Sequence, residues 1–239
     1  MRQKITGGIP EGSLDTTPFQ ISRNRPVALQ VYEDLRDRIV SLDLMPGYSL
    51  SRAVLADFYG VSQTPVREAF LKLEKDGLVE VFPQSKTLIA PISIHKVKST
   101  HFLRTSLELE VAHNLALAMD KTKIAPAEKI LTEQRHSSTE TAAFSRLDSA
   151  FHRALFIAAG YEDLWEVVRE HSGHLDRVRC LQLPTPGKIE RVIFQHGKII
   201  DAIHASDLHT AESHVRDHLS GSLNELDNII QNNREMFGA

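Results

Sequence analysis

The residues of this chain best suited to chemistry are its histidines, and all twelve lie beyond position 94. In the segment LDSAFHRALF, Asp148 and His152 stand four residues apart, which places them on one helix face where both can reach one ion. His196, in the otherwise apolar segment FQHGKIIDAI, and His218, in VRDHLSGSL, are two further candidates. One carboxylate and three imidazoles suit Zn²⁺, Ni²⁺, Mn²⁺ or Fe²⁺, and these ligand types do not select one divalent transition metal among them.

Spacing alone does not select this set of histidines. The pairs His171/His174 and His214/His218 also have helical spacing. A histidine on a half-apolar helix is more often a satisfied core residue than a metal ligand, and the aspartate–histidine pair could be only hydrogen-bonded. The residue types therefore leave a metal site and a set of buried polar contacts as alternatives.

The elements that position these residues are predicted to be helices. Beyond position 93 no convincing strand pattern appears, and breaks at Ala125-Pro126, at Gly160 and around Pro184 separate the periodic segments. The sequence predicts helices near 93–120, 126–138, 141–159, 162–181, 187–205 and 208–233. This pattern indicates an all-α bundle of six or seven helices.

Between positions 50 and 77 the sequence predicts two further helices joined by a tight turn. Ser51 is a good N-cap for the first helix, and Gly60 stands where a left-handed glycine would end it. The apolar positions of the first helix are Val54, Leu55 and Phe58. Those of the second helix form one stripe of Val66, Ala69, Phe70 and Leu73.

The opposite face of the second helix is polar and suits contact with a DNA major groove. Gln63, Thr64 and Arg67 would meet base edges and phosphates there. An ordinary helical hairpin with a solvated arginine is the alternative. The two β-rich runs that follow, LVEVF and TLIA, favour a winged helix-turn-helix, with the helix predicted over 26–42 as its third helix.

The runs PGYSLS and LADFYGVSQTPVREAFLKLEKDGLVEV resemble the winged helix of GntR-family bacterial transcription regulators. The resemblance implies that Thr64 and Arg67 contact DNA. The sequence departs from the family's usual residues at some other positions, so the remaining residues are candidates only. They are Arg52, Gln63, Gln84 and Lys86.

The C-terminal pattern DxxFHxxL, then HxxIxxAI, then HL resembles the FCD domain, the ligand-binding half of the FadR-type GntR subfamily. Many members of this subfamily hold a divalent metal. The resemblance implies that the metal ligands are Asp148, His152, His196 and His218.

The FCD pattern also has an arginine at Arg104, and in the family this residue can contact a carboxylate-bearing effector. Arginine suits that role because its planar guanidinium donates two parallel hydrogen bonds to a carboxylate. The alternative is a surface ion pair with Glu108, four residues later, which would contribute only ~0.3–0.5 kcal/mol. Burial of Arg104 would distinguish these two interpretations.

Composition sets the limits of these interpretations. The chain of 239 residues is long enough for two modest domains, and its formal net charge is −3. Positions 24–92 contain eight Lys and Arg against nine Asp and Glu, whereas DNA-binding domains often carry a basic excess. Phosphate contacts depend on where the cations lie, so the count does not exclude DNA binding. The single Cys180 excludes an internal disulfide framework and fits a reducing compartment.

We expect a mostly α protein with three parts: a flexible tail over 1–23, a winged helix-turn-helix over 24–92, and an all-helical metal- and effector-binding domain over 93–239. The expected function is a cytoplasmic homodimeric regulator, without a membrane segment, whose affinity for a double-stranded DNA operator is controlled by a small organic acid bound near the metal. A regulator that senses the metal itself and a metal-dependent hydrolase are the alternatives. No HExxH motif supports the hydrolase. The sequence leaves open the effector, the operator and the direction of regulation.

Overall fold

The computed structural model describes residues 19–82, 86–136 and 141–238. The chain divides into two compact units, of which the first contains residues up to Ile94 together with the segment from Asn233, and the second is His95–Asn232. Most of the expected tail, and Gln84, lie outside the described residues.

The first unit is the predicted winged helix-turn-helix. Its helices are α1 (Val27–Val40), α2 (Arg52–Tyr59) and α3 (Gln63–Asp76). Its strands are β1 (Ser49–Leu50), β2 (Val79–Phe82) and β3 (Lys86–Ile89). The strands form an antiparallel sheet in the order β1-β3-β2, so β2 and β3 are the wing and β1, which was not predicted, completes the sheet.

Local sequence signals explain the two central helices of this unit. The Ser51 side chain accepts a hydrogen bond from the Val54 backbone amide at the start of α2, and Gly60 ends the helix with φ 64°. The predicted apolar stripe of α3 is buried at all four positions. The prediction for α2 was wrong at Val54, whose side chain is 49% exposed, because the helix instead buries Ala56 and Tyr59 beside Leu55.

Two buried tyrosines hold acidic side chains of the first unit against its core. The Tyr59 hydroxyl donates to Asp34 at 2.6 Å, and the Tyr32 hydroxyl donates to Asp76 at the same distance. Asp34 also accepts from Arg38 at 2.8 Å. These carboxylates are thus engaged within the unit, so the near balance of charges in the sequence overstates the acidity of its exposed faces.

The C-terminal segment belongs to the first unit. Its backbone pairs with Ile92, whose amide donates to the Met236 carbonyl at 2.8 Å and whose carbonyl accepts from Gly238 at 3.1 Å. The expected helical domain ran to position 239, whereas in the structure the segment from Asn233 packs with the first unit. Packing of a C-terminal segment against an N-terminal unit produces no periodic pattern in the sequence, so the sequence could not predict it.

The second unit is helical throughout its described residues. Its helices are α4 (Ile94–Leu117), α5 (Ala125–His136), α6 (Thr141–Ala159), α7 (Glu162–His171), α8 (Gly173–Gln182), α9 (Lys188–His204), α10 (Leu208–Asn224) and α11 (Leu226–Asn232). The segment predicted as one helix over 162–181 is divided at Ser172. The Thr100 hydroxyl donates to the His171 carbonyl at 2.8 Å, which takes an acceptor that an unbroken helix would use internally.

The main core of the second unit joins α4, α5, α6, α7, α9 and α10. Its largest members are aromatic, and each of these helices also contributes aliphatic residues. The aromatic members are Phe151, Phe156 and Trp165. This core surrounds the inward-facing polar residues of α6, α9 and α10.

The core of the first unit predicts a contrast between two leucines. Leu35 of α1 is fully buried, whereas Leu71 of α3 is 53% exposed. Leu35→Ala should lower the free energy of unfolding by about 2–5 kcal/mol, because it removes buried apolar contacts and leaves a cavity. Leu71→Ala should change it by less than about 0.5 kcal/mol. Urea titration followed by circular dichroism measures both variants, and equal losses would contradict this description of the core.

Candidate metal centre and nucleic-acid interface

The structure brings the four predicted metal-binding residues together inside the second unit. Asp148 and His152 come from α6, His196 from α9 and His218 from α10, and all four are buried. One ligand atom of each lies within 4.8 Å of those of the others. No other cluster of three or more potential ligands occurs in the described part of the chain, so the alternative histidine pairs do not form one.

The imidazole nitrogens of the cluster face one another. Nε2 of His218 lies 3.2 Å from Nε2 of His152 and 3.3 Å from Nε2 of His196. The carboxylate of Asp148 closes the group, with Oδ1 3.7 Å from Nε2 of His196 and Oδ2 3.9 Å from Nε2 of His152.

Contacts at the opposite ring nitrogens orient each imidazole. Nδ1 of His196 lies 2.8 Å from Oε1 of Gln134, and Nδ1 of His218 lies 3.3 Å from Oε1 of Gln195. An amide oxygen only accepts, so these Nδ1 atoms carry the protons and the Nε2 lone pairs point inward.

The third imidazole, that of His152, has a carboxylate as its partner. Its Nδ1 lies 2.7 Å from Oε2 of Glu108, close enough for a strong charge interaction although not in the direction of a hydrogen bond. The aspartate of the cluster is oriented in turn by Arg179, which donates to Oδ2 of Asp148 and leaves Oδ1 toward the histidines. Each of the four potential ligands therefore has one side-chain partner outside the cluster.

The electrostatics of the site favour the protonation states that a metal requires. Burial lowers the pKa of His196 to about 3, and the charge of Arg179 acts in the same direction. Burial also holds the pKa of His218 well below its usual value. Burial alone would raise the pKa of Asp148, but the surrounding positive charges, of which that of Arg179 is the largest, together outweigh burial and hold the pKa well below the usual range. Near neutral pH the site thus offers neutral imidazoles at His196 and His218 and an ionised carboxylate at Asp148.

The spacing of the nitrogens fits a metal ion of the first transition row. Tetrahedral zinc with bonds of about 2.05 Å has ligand atoms about 3.3 Å apart, and an octahedral ion has neighbouring ligands about 3.0 Å apart. The two nitrogen–nitrogen separations of 3.2 and 3.3 Å match this range. Asp148 would move inward by a few tenths of an ångström, so the residues fit the divalent metal that the resemblance implies.

Arg104 is buried, with 3% of its surface exposed, so the surface ion pair with Glu108 is excluded. Its Nε donates to Oε1 of Glu108, while its Nη2 has no hydrogen-bond partner in the described part of the chain. Arg104 also lines a cavity of about 40 Å³ together with Asp148, Arg179, Gln182, Lys188 and His218. A cationic cavity beside the cluster is suited to a small anion.

Sequence reasoning missed Gln134, Gln195 and Arg179 as partners of the cluster. Arg179 is 31 residues from Asp148 in sequence, and Gln134 is 62 residues from His196. No local pattern connects residues at such separations, and glutamine has no distinctive motif. Only Glu108 carried a usable signal, through its one-turn spacing from Arg104.

In the first unit, the candidate DNA-binding residues lie at the ends of exposed elements. Arg52 is the first residue of α2, and Gln63 and Thr64 open α3, with Arg67 one turn later. All four are exposed, as is Lys86 at the start of β3. Across the described residues, no carboxylate forms an ion pair with Arg52, Arg67 or Lys86, so their charges remain available to phosphates or base edges.

Comparison with known families agrees with both halves of this description. Residues 27–89 match the family described as bacterial regulatory proteins, gntR family, and residues 100–221 match the FCD domain. No helix in the described residues has the length and apolar character needed to cross a membrane.

Curated relatives align with nearly the whole chain. The HTH-type transcriptional repressor RspR of Escherichia coli (strain K12) is 30% identical over 224 residues, covering 93% of this chain and 98% of RspR. An uncharacterized HTH-type transcriptional regulator in an unstable DNA locus of Streptomyces ambofaciens is 32% identical over 207 residues, covering 87% of this chain and 88% of that protein.

Among solved structures, E. coli McbR/YncC has a TM-score of 0.72, covering 89% of this chain and 99% of its own. At 18% identity this likeness concerns the fold alone. The two family matches and the full-length relatives confirm the predicted regulator and leave no support for the hydrolase. The chain belongs to the GntR family of bacterial transcription regulators, with an FCD domain, and is a DNA-binding regulator rather than an enzyme.

Proposed function

We propose that this regulator binds its operator as a homodimer in the cytoplasm, and that a small organic acid beside a divalent metal in the helical unit controls operator affinity. The observation that carries the proposal is the buried cluster in which three imidazole nitrogens and one carboxylate converge next to a cavity lined by arginines. Repression is the direction of control that we propose, since RspR is named a repressor.

The proposed DNA contacts follow from the N-terminus of α3. A helix presents unpaired backbone amides and a partial positive charge at this end, which favours phosphate. Thr64 and Arg67 would contact base edges and phosphates from α3, with Gln63 as a further candidate. Arg52 from α2 and Lys86 from the wing are candidates for the flanking backbone, as is Gln84, which lies outside the described residues.

In the proposed effector site, the metal would be held by Asp148 and by Nε2 of the three histidines. When bound, such an ion supplies a Lewis-acidic position to which a carboxylate or hydroxyl oxygen of an acid can coordinate. Arg104 would bind the same acid through Nη2, the guanidinium nitrogen without a partner. The cavity is small, so an acid of few atoms suits it better than a large ligand.

The acid would act by binding one arrangement of the dimer more tightly than another. Coupling of this kind is typically ~1–3 kcal/mol, which changes operator affinity about 5–150-fold. The alternative is a regulator for which the metal itself is the signal. Titrating operator affinity with metal alone, and then with metal and organic acids together, separates the two, because only the metal-sensing regulator responds fully before any acid is added.

Arg67→Ala should weaken operator binding strongly. Each lost side-chain contact to DNA costs about 1–3 kcal/mol, and a two-fold symmetric dimer loses two. An operator is first selected from a random pool of DNA duplexes with the unmodified protein. Fluorescence anisotropy then measures the affinity of each variant for that duplex. Lys75→Ala is the matched control, because it removes a cation from the opposite end of the same helix. An Arg67→Ala affinity equal to that of the control would refute the assignment.

His196→Ala should abolish stoichiometric metal binding while leaving the protein folded. The substitution removes a ligand whose ring is fully buried at the centre of the cluster. Elemental analysis after incubation with excess Zn²⁺ and gel filtration measures the metal content. His204→Ala is the control, since this histidine lies on the same helix and is 44% exposed. One ion per chain retained in His196→Ala would show that the ligand set is wrong.

Chelation should destabilise the helical unit. An ion that binds only the folded state, at about 100 times its Kd, adds about 2.7 kcal/mol to the free energy of unfolding. The chain has one tryptophan, Trp165, and it is buried in α7 of this unit, so its fluorescence reports the transition. Its Tm should fall after chelator treatment and recover with Zn²⁺. A Tm independent of metal would contradict a metal bound within this core.

A further inference from the structure

We infer that Glu108 is a positioning residue that links Arg104 to the metal ligand His152. Through this link, acid binding at Arg104 changes the affinity for the metal, and metal binding changes the affinity for the acid. This inference rests on the proposed function, because it assumes a metal at the cluster. It concerns a residue that is neither a metal ligand nor the arginine expected to meet the acid.

The two oxygens of Glu108 have separate partners. Oε1 accepts from Nε of Arg104, one turn earlier on α4, and Oε2 lies 2.7 Å from Nδ1 of His152 on α6. All three residues are buried, with exposed fractions of 3% for Arg104, 6% for Glu108 and 1% for His152. A charged carboxylate between a guanidinium and an imidazole, away from water, interacts strongly with both.

His152 is distinguished from the other two histidines by this partner. His196 and His218 face the neutral amides of Gln134 and Gln195, whereas His152 faces a carboxylate. A carboxylate beyond a histidine increases the basicity of the ring, and its loss typically lowers metal affinity about 10–100-fold. Among the three imidazoles, His152 is therefore the ligand whose donor strength a neighbouring charge controls.

The charge on Glu108 is maintained by its surroundings. Its Oε1 accepts from the positively charged guanidinium of Arg104, and an adjacent opposite charge favours the ionised carboxylate. The carboxylate is thus ionised at neutral pH, and Arg104 neutralises part of its charge.

This arrangement determines the sign of the coupling. An acid bound to Nη2 of Arg104 draws positive charge away from Glu108, so Glu108 polarises His152 more strongly and the metal is held more tightly. By thermodynamic linkage, the bound metal strengthens acid binding by the same factor. The acid and the ion would then bind with positive cooperativity, without either needing to move the other.

The test uses Co²⁺ as the probe, because its visible spectrum reports both affinity and the ligand field. Glu108→Gln should lower Co²⁺ affinity about 10–100-fold and shift the visible bands, while the stoichiometry stays at one ion per chain. Glu110→Gln is the matched control, since it is the same substitution at an exposed position of the same helix. Unchanged affinity and spectrum in Glu108→Gln would overturn the inference.

A double-mutant cycle tests the link to Arg104. Arg104→Gln should raise Co²⁺ affinity, because Glu108 is no longer neutralised, and the rise should be at least about fivefold larger with Glu108 present than in the Glu108→Gln background. Repulsion between Arg104 and the ion through space contributes equally in both backgrounds and cancels. Equal effects of Arg104→Gln in the two backgrounds would show that Glu108 does not carry the coupling.

The variants also separate a failure of this inference from a failure of the proposed function. If the unmodified protein binds no Co²⁺ at the cluster, the metal site itself is refuted. If it binds Co²⁺ but the cycle shows no coupling, only the role of Glu108 is refuted. The double variant Arg104→Gln/Glu108→Gln leaves no unpaired buried charge, so it provides a folded reference if either single variant is unstable.

Discussion

Three imidazole nitrogens gathered around one carboxylate in a closed core are the constraint on which the helical unit depends. The Nε2 lone pairs of His196 and His218, 3.3 Å apart, repel one another unless a cation lies between them. The fold nevertheless fixes this arrangement, because each ring is oriented from behind by a glutamine or a glutamate. Phe151 also stacks on the His196 ring, with 4.0 Å between centroids.

The fold that brings these four residues together also buries an ion pair, Arg104–Glu108, of a kind that usually lies on a helix surface. Arg104 and Glu108 have the one-turn spacing that on a helix surface contributes a few tenths of a kcal/mol. Buried between α4 and α6, the pair instead connects a guanidinium nitrogen that has no partner among the described residues to His152, a proposed metal ligand. The strength of the Arg104–Glu108 interaction therefore depends on its buried surroundings, because an environment of low polarity strengthens charge interactions.

In the winged helix, unlike the helical unit, the charged residues proposed to act in binding are exposed rather than buried. Its acidic residues nearly balance its basic ones, yet Asp34 and Asp76 are engaged by tyrosine hydroxyls within the unit. Arg67 and Lys86 remain exposed without an ion pair in the described part of the unit. Affinity for DNA depends on the cations that contact phosphates rather than on the net charge of the whole domain. A domain without a basic excess is therefore compatible with the family to which the chain belongs.

The sequence by itself determined the elements whose causes are local: the caps of α2, the apolar stripe of α3, the wing after Gly77, and the helical character of the second half. It also singled out the four clustered residues, with help from their family resemblance. Only the tertiary structure decided that Val54 faces outward, that Arg104 is buried, and that two glutamines and Arg179 stand behind the ligands. Helical periodicity reports neighbours one turn apart, whereas these contacts join residues tens of positions apart, and their geometry exists only once the helices have packed.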